Sequence, residues 1–378
     1  MLTKKDLQEI FENYNLDFSK YVNKKQIKIG HINNTYKLYF DLGSKMKRYL
    51  LQEINTNVFQ NPVELMENIE RTTSFLSEKV KDEKNAENRC LRVLKTKNNR
   101  SYMISSKNRF YRIYYFIENA KTYQKTSDLK LFYNAGRAIG DFQNLLSDFD
   151  ASSLHETIPN FHNTPYRFET FLRILKKDPC NRAKTCNEEI QFVLGMKDFS
   201  NIITSLIEKK KIPLKVTHND TKLNNIMFDC DTKEELCLVD LDTVMPGSIL
   251  YDFGDAIRSG CNKAAEDEKD LSKVIFSTEL FQAFTEGYLS RVVQSITKIE
   301  LEHLVDSAIL MTFECGMRFL TDHIDGDHYF KIHYEGHNLV RCRTQFHLVK
   351  QMLKQKELLE DMVHTAYQKA LKESKITL

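Results

Sequence analysis

The stretch Val216 to Asp242, VTHNDTKLNNIMFDCDTKEELCLVDLD, constrains the fold more than any other part of the chain. Ile212 and Leu214 lead into a polar loop, His218-Asn219-Asp220-Thr221-Lys222-Leu223-Asn224-Asn225. A short apolar run follows at Ile226, Met227 and Phe228, then a charged turn from Asp229 to Glu235. A second apolar run, Leu236 to Val239, stops at Asp240. Runs this short, bounded by turn residues, predict two paired strands preceded by a loop. Such a hairpin returns its second strand to the place where the first began. Asp220 and Asn225 at that end and Asp240 at the strand exit are therefore expected to converge on one point.

Three oxygen-bearing side chains so arranged suit transfer of a phosphoryl group from ATP. That reaction uses an Asp to accept the proton of an attacking hydroxyl, an Asn to hold magnesium, and a later Asp to hold the metal bridging the phosphates. Protein kinases spell the loop H-R-D, four residues, then Asn; here His218-Asn219-Asp220 is followed by four residues and Asn225. The competing reading is a polar turn between strands. The spacing, the hairpin and the strand-end Asp240 together favour the catalytic one, with Asp220 as base and Asn225 and Asp240 as metal ligands. His218 is a supporting residue of the loop. Asp252-Phe253-Gly254 also spells a kinase metal motif but lies well past the hairpin. Asp252 is accordingly expected to support the loop by hydrogen bonds, and Asp242 to be a reserve metal ligand or a neighbour that tunes one.

A chain of 378 residues has room for a sizeable core and for two or three domains. With 41% hydrophobic and 28% charged residues its composition is ordinary for a globular protein. The net charge of +3, with Lys and Glu interleaved, gives no nucleic-acid footprint. No apolar run approaches the roughly 20 residues that cross a bilayer, and Met1 to Ile10 has no apolar core of a signal peptide. The eight cysteines are scattered, and free thiols in a reducing cytosol are expected, although Cys180 and Cys186 are close enough in sequence to bridge or to bind metal. These features point to a soluble, cytoplasmic enzyme.

Taken in order, Leu2 to Tyr14 predicts a helix, and from Tyr21 the period changes to two. Strands are expected up to Ile29, from Thr35 to Leu42 and from Tyr49 to Ile54. Between the first two, Gly30-His31-Ile32-Asn33-Asn34 takes the place of a glycine-rich phosphate loop, or is a plain hairpin turn. The third strand carries Gln52 where protein kinases place a phosphate-binding Lys; Lys45, Lys47 and Arg48 precede it and are possible substitutes. Asn61-Pro62 opens a helix to about Glu78. Leu91–Leu94, Tyr102–Ile104 and Phe110–Ile117 complete the strands, the aromatic density of RFYRIYYF being read as sheet packing. Phe116 to Ala120 looks like a hinge. Helices are then expected over Asp128–Leu146 (Gly136 and Gly140 suggesting close helix packing), Arg167–Lys176 and Asn187–Lys209. Beyond the hairpin they are expected over Val274–Val293, Leu301–Leu320 and Asn338–Leu358, with a fraying tail. The loop Ile158 to Pro165 is either a linker or a lining of the acceptor site. Thr321 to Tyr329 reads as a dense polar turn without the spacing of a metal site.

HNDTKLNNIMFD, LVDLDTVMPG and YDFGDAIR resemble the aminoglycoside-phosphotransferase superfamily of small-molecule kinases, and within it the N-acetylhexosamine 1-kinases. The likeness extends through GHINNTY, LLQEINTNVFQNPVELMENI, IPNFHNTPYRFETF and RFLTDHIDGDHYFKIHYEGHNLVRCRTQ, from about Gly30 to about Gln345. It implies an α+β, bilobal, protein-kinase-like fold. Its small N-terminal antiparallel-sheet lobe would span residues 1–117, its hinge 118–122, and its larger, mainly helical lobe 123–378. It further implies ATP and Mg²⁺ in the cleft and phosphorylation of the C1 hydroxyl of N-acetylglucosamine or N-acetylgalactosamine. Arg318 and Tyr329 are then the sugar-binding pair, and His31, Asn33 and Asn34 lie near the sugar or the phosphates. Gln52, Glu118 and Lys222 are the candidates for contacting the nucleotide. The partners implied are these small molecules alone, with no nucleic acid or membrane, on a monomer or weak oligomer. Aminoglycoside, choline and homoserine kinases use the same core, but Arg318 suits a neutral sugar better than a cationic drug. A nucleotide-binding pseudokinase is the reading of another class, and the intact Asp220, Asn225 and Asp240 argue against it. A protein kinase is the least favoured reading, since the Gly-rich loop, the strand Lys and an A-P-E segment are missing.

Overall fold

Thr3 opens the first helix, α1 (Lys4–Asn13), with a capping box in which its hydroxyl and the Asp6 carboxylate exchange hydrogen bonds with each other's backbone N–H. In the computed structural model, which describes residues 2–27 and 32–376 (side chains to residue 374), α1 lies on an antiparallel sheet. The strands are β1 (Tyr21–Ile27), β2 (Asn34–Asp41), β3 (Met46–Glu53), β4 (Met103–Ile104) and β5 (Phe110–Tyr115), in the order β1-β2-β3-β5-β4. Alternate residues of β2, Tyr36, Leu38 and Phe40, meet Leu7, Ile10 and Phe11 of α1 in a small core of their own. The expected strand at Leu91–Leu94 is reduced to a bridge between Val93 and Tyr114. It and β4 share one edge of β5, and neither has the length to run alone along it.

Helix α2 (Pro62–Lys79), started by Pro62, sits between β3 and β4 in sequence but packs elsewhere. Leu65, Met66, Ile69 and Leu76 enter the larger core with residues from the C-terminal helices. Asn68, fully buried, fixes it there: its amide donates to the carbonyls of His155 and Val244, and its oxygen accepts the His155 N–H.

The C-terminal part is mainly helical. It comprises α3 (Leu129–Leu145), α4 (Thr164–Lys177), α5 (Asn187–Gly195), α6 (Ile202–Glu208), α7 (Ile249–Gly260), α8 (Thr278–Val292), α9 (Lys298–Glu302), α10 (Leu304–Asp325), α11 (His337–Lys354) and α12 (Lys356–Ile376). Among them lie β6 (Ala120–Lys121), β7 (Lys215–Thr217), β8 (Ile226–Asp229), β9 (Glu235–Leu238) and β10 (Met245–Gly247), with β6-β8-β9 forming one sheet and β10-β7 another. Helices α3 and α8 pack face to face, and a Cβ on Gly136 would collide with the Phe284 carbonyl, so glycine there permits the approach. None of the described helices is long and apolar enough to cross a membrane.

Four expectations are corrected at the helices. The stretch Asn187–Lys209 is two helices, interrupted by a turn after Gly195 and the short helical turn Phe199–Asn201. Leu301–Leu320 spans the end of α9 and most of α10, with the break at His303. The polar segment from Thr321 to Asp325 is helical, because α10 stops only at Gly326, whose φ of 114° ends it. The tail expected to fray is α12. Leu359, Val363, Ala366 and Ala370 recur at helical spacing and are buried, and α12 packs against α8. Leu359→Ala is expected to lower stability by about 3 kcal/mol, read from the midpoint of urea unfolding; an unchanged midpoint would mean that α12 does not hold the fold together.

Candidate active site

The antiparallel pairing of β7 with β10, Thr217 opposite Met245, sets the loop that follows β7 beside the segment that precedes β10. Residues 218–225 and 240–244 therefore face each other across the end of the β8–β9 hairpin. Two backbone positions in this region have positive φ, Asn219 at 64° and Asp240 at 63°. Asn and Asp tolerate that conformation better than other residues with a side chain.

Asp252 lies in the first turn of α7 and is fully buried. Its carboxylate accepts the backbone N–H of His218 at 3.0 Å, that of Asn219 at 2.7 Å and the Gln143 amide at 3.0 Å. Its own carbonyl accepts the Thr221 hydroxyl at 2.6 Å. Burial pushes its carboxyl pKa up, while His218 and these donors pull against that rise. The loop is closed on its other side by His218, whose Nε2 donates to the Val239 carbonyl at 2.9 Å, and by the Thr243 hydroxyl on the His218 carbonyl at 2.6 Å. The Asn219 amide adds a bond to the Thr243 carbonyl at 2.8 Å.

Held this way, Asp220 keeps a half-buried carboxylate. Lys222 Nζ lies 2.7 Å from Oδ1, and the Asn225 amide donates to Oδ2 at 3.1 Å and to the Asp220 carbonyl at 2.8 Å. Burial would lower the Lys222 pKa, but Asp220 and Asp255 raise it, so the side chain stays cationic. With the Asn225 N–H groups used on Asp220, its amide oxygen is left to ligate. Asp240 is exposed, and its side chain takes part in no hydrogen bond or ion pair within 4 Å among the described residues. Close packing of protein around it, then repulsion from Asp242 and Asp220, pushes its pKa up to about 6. An unpartnered carboxylate beside an amide oxygen is a hard, all-oxygen donor set that fits magnesium, which binds one or two carboxylates and takes the rest of its shell from phosphate and water. Among the described residues no three His, Cys, Asp or Glu side chains form an all-protein metal cage.

Asp242 is placed differently. It is buried and ion-paired, Oδ1 lying 2.6 Å from Arg112 of β5, and its Oδ2 accepts the Asn33 amide at 2.5 Å. Asn33 thus reaches the site, whereas Asn34 turns to Glu53 at 3.4 Å on the sheet. His31 lies outside the described residues. Both ends of the Gln52 amide are engaged, donating to the Thr35 hydroxyl at 3.0 Å and accepting from Arg112 Nε at 2.9 Å. Glu118 forms a bidentate pair with Arg48, and Lys47 lies over Tyr49 and Tyr115, which occupies two of the lysine substitutes considered.

On the other side of the loop, Arg318 of α10 donates to the Tyr329 hydroxyl at 3.2 Å and lies over its ring, with Tyr329 strongly exposed. One turn earlier on α10, Glu314 is buried and accepts from His162 Nδ1 at 3.0 Å and from the Thr164 hydroxyl at 2.6 Å. His162 Nε2 donates in turn to the Asn219 carbonyl at 3.1 Å, linking α10 to the loop that carries Asp220. Burial alone would raise the Glu314 pKa; the His162 bond and charge, Arg318 and Thr164 together bring it below the ordinary glutamate value. Arg112 and Glu314 had no role in the sequence reading, and His162 was only one residue of the loop Ile158 to Pro165, read as a linker or a lining of the acceptor site. Their signal was present, in an Arg inside an apolar strand and a Glu inside an apolar helix, both of which need buried partners.

Glu314→Gln is expected to cost about 2 kcal/mol at neutral pH, the value of hydrogen bonds to a charged group. Because the folded pKa is depressed, this contribution is full above the unfolded value near 4.5 and is lost as the pH falls through the folded one. The gap in unfolding midpoint between wild type and variant should therefore narrow on acidification; a gap independent of pH would remove the charge from the explanation.

Residues 106–286 match the model of the phosphotransferase enzyme family, and Asp220, Asn225 and Asp240 all fall within the match. Among solved structures, an ethanolamine kinase of Plasmodium vivax is 16% identical, the match covering 93% of this chain and 92% of that one at a TM-score of 0.57. A choline kinase from Cryptosporidium parvum is also 16% identical, over 96% and 98%, at 0.59. A spectinomycin phosphotransferase solved with ADP and spectinomycin is 12% identical, over 97% and 99%, at 0.51. The chain has the fold of these kinases, with an antiparallel-sheet part followed by a mainly helical one. The family match takes in just under half of the chain, and the likeness to these solved structures is one of fold.

Proposed function

We propose that this protein is an ATP-dependent small-molecule kinase that phosphorylates the C1 hydroxyl of N-acetylhexosamines. The observation that carries the kinase reading is the loop pinned by Asp252, which presents Asp220 and Asn225 beside the unpartnered Asp240. The nucleotide is assigned to the cleft between the sheet (residues 1–117) and the helical region (residues 123–378), with 118–122 as the hinge. Asp220 accepts the proton of the attacking hydroxyl. Its oxygens already take one bond each, from Lys222 and Asn225, and a carboxylate oxygen has a further lone pair for the substrate. Lys222 stands beside the base as a cation for the transferred phosphoryl group. Asn225 and Asp240 would hold magnesium, which when bound supplies positive charge against the phosphates. Asp252, His218 and Thr243 keep the base from drifting, and positioning is most of what this reaction asks of the protein.

Arg318 and Tyr329 are assigned to the sugar. A guanidinium donor stacked on an exposed ring gives an acceptor hydrogen bonds and an apolar face. This polarity disfavours a cationic aminoglycoside or choline, both of which call for anionic or purely aromatic surroundings. The sequence resemblance to N-acetylhexosamine kinases supports the same choice.

The test is ADP formation with Mg-ATP and a panel of N-acetylglucosamine, N-acetylgalactosamine, glucose, galactose, choline and kanamycin, followed by phosphorus NMR of the product. An anomeric phosphate from either N-acetyl sugar is the expected result; turnover of choline or kanamycin alone would discard the sugar. Asp220→Asn is expected to lower kcat by roughly 10²- to 10⁴-fold while leaving ADP binding intact, and near-wild-type turnover would remove Asp220 as base. Arg318→Ala should raise the KM for the sugar with little effect on that for ATP; equal effects on both would take Arg318 out of the acceptor site.

A further inference from the structure

Kinases of this general design neutralise the nucleotide phosphates with a strand Lys that is itself held by a carboxylate. Here the corresponding strand, β3, offers Gln52. Gln52 is neutral, and the nitrogen and the oxygen of its amide each already hold a partner within the sheet. What it does instead is visible in the sheet register. Thr35 of β2, Gln52 of β3 and Arg112 of β5 are direct cross-strand neighbours, and side chains directly opposite across strands lie close enough to bond. They form one hydrogen-bonded row, Thr35 to Gln52 at 3.0 Å and Gln52 to Arg112 at 2.9 Å. The row ends in a cation, one strand over from where the Lys would stand.

Arg112 is completely buried, yet burial is outweighed by Asp242 and Tyr114, with Asp240 adding to the rise in its pKa. The carboxylate it meets, Asp242, lies two residues past the metal-side Asp240. The second oxygen of Asp242 takes the Asn33 amide from the loop between β1 and β2, and the Asn33 oxygen takes the Asn55 N–H at 2.9 Å just after β3. Hydrogen bonds and one ion pair therefore join three strands of the sheet, Asn33 just before β2, Asn55 just after β3 and the segment that follows Asp240.

A buried ion pair is weak evidence for stability, because well-packed apolar residues often do as well in its place. Its placement at the cleft calls for a further role. We propose that Arg112 is a positioning residue for the nucleotide, taking over the strand Lys's task by acting through Asp242. It cancels the Asp242 charge, so that the phosphates do not meet an uncompensated carboxylate beside Asp240. Through Asp242 it also fixes Asn33, at the entry to β2. Asp242 is on this account a counter-ion and latch, not a reserve metal ligand. The inference rests on the kinase reading above.

The experiment is calorimetric titration of ADP, with and without Mg²⁺, into wild type, Asn33→Ala and the double variant Arg112→Gln/Asp242→Asn, which removes both charges together and leaves neither buried alone. Hydrogen exchange of residues 32–36 and titration with N-acetylgalactosamine accompany it. ADP affinity should fall roughly 10- to 100-fold in the double variant, the usual range for residues that orient a site from behind, and several-fold in Asn33→Ala. Exchange protection of the loop should be lost in both, while sugar affinity is unchanged. Folded variants with wild-type ADP affinity and loop protection would reduce the pair to a packing element and overturn the proposal. If the double variant does not fold, Asn33→Ala, which alters only a loop side chain, decides by the same two readouts. Wild-type protein that binds no ADP would remove the kinase reading, and this inference with it.

Discussion

A single buried carboxylate, that of Asp252, fixes the chemistry of this molecule in space. A carboxylate taken out of water is tolerable only if its oxygens are fully engaged, and here the partners are the backbone N–H groups of the very loop that carries Asp220. The same carboxylate accepts Gln143 from α3, and Gln143 accepts the Tyr288 hydroxyl of α8 at 2.5 Å. The loop of Asp220 is thus tied through two bonds to the closely packed pair α3 and α8, which glycine at Gly136 allows to approach. A change in α3 or α8 packing is felt at the loop without any contact to substrate.

Around that fixed loop the charges are sorted by side. Toward the sheet lie Asp240, left without a partner, and Asp242, neutralised by Arg112. Toward α10 lie Arg318 and the buried Glu314, the latter committed to His162 and Thr164. On the proposed function the sheet side receives a cation with polyphosphate, and the α10 side offers a guanidinium and an aromatic face. His162, bonded to both Glu314 and the Asn219 carbonyl, makes α10 and the loop of Asp220 parts of one network.

What could be read from the sequence was local. The hairpin, the Pro-started α2 and α3 follow from runs and periods a few residues long, and the loop spacing from Asp220 to Asn225 carries its chemistry in its own letters. What escaped depends on partners far away in the chain. Arg112 looked like one residue in an aromatic strand; its meaning comes from Asp242, 130 positions on, and from the register that sets it opposite Gln52. Helix α12, rich in Lys and Glu, shows only a narrow apolar stripe, and its partner α8 ends more than sixty residues earlier. The division of residues 187–209 falls in a turn after Gly195, which a helical period runs straight through.

The most direct measurement is a crystal structure of the ternary complex with Mg²⁺, a non-hydrolysable ATP analogue and N-acetylgalactosamine. The account predicts the metal on Asp240 and the Asn225 amide oxygen, with Arg112 still on Asp242. It also predicts the C1 hydroxyl within about 3 Å of an Asp220 oxygen, with Arg318 and Tyr329 against the sugar. A metal drawn onto Asp242 with Arg112 displaced, or a sugar bound with a different hydroxyl at Asp220, would contradict it.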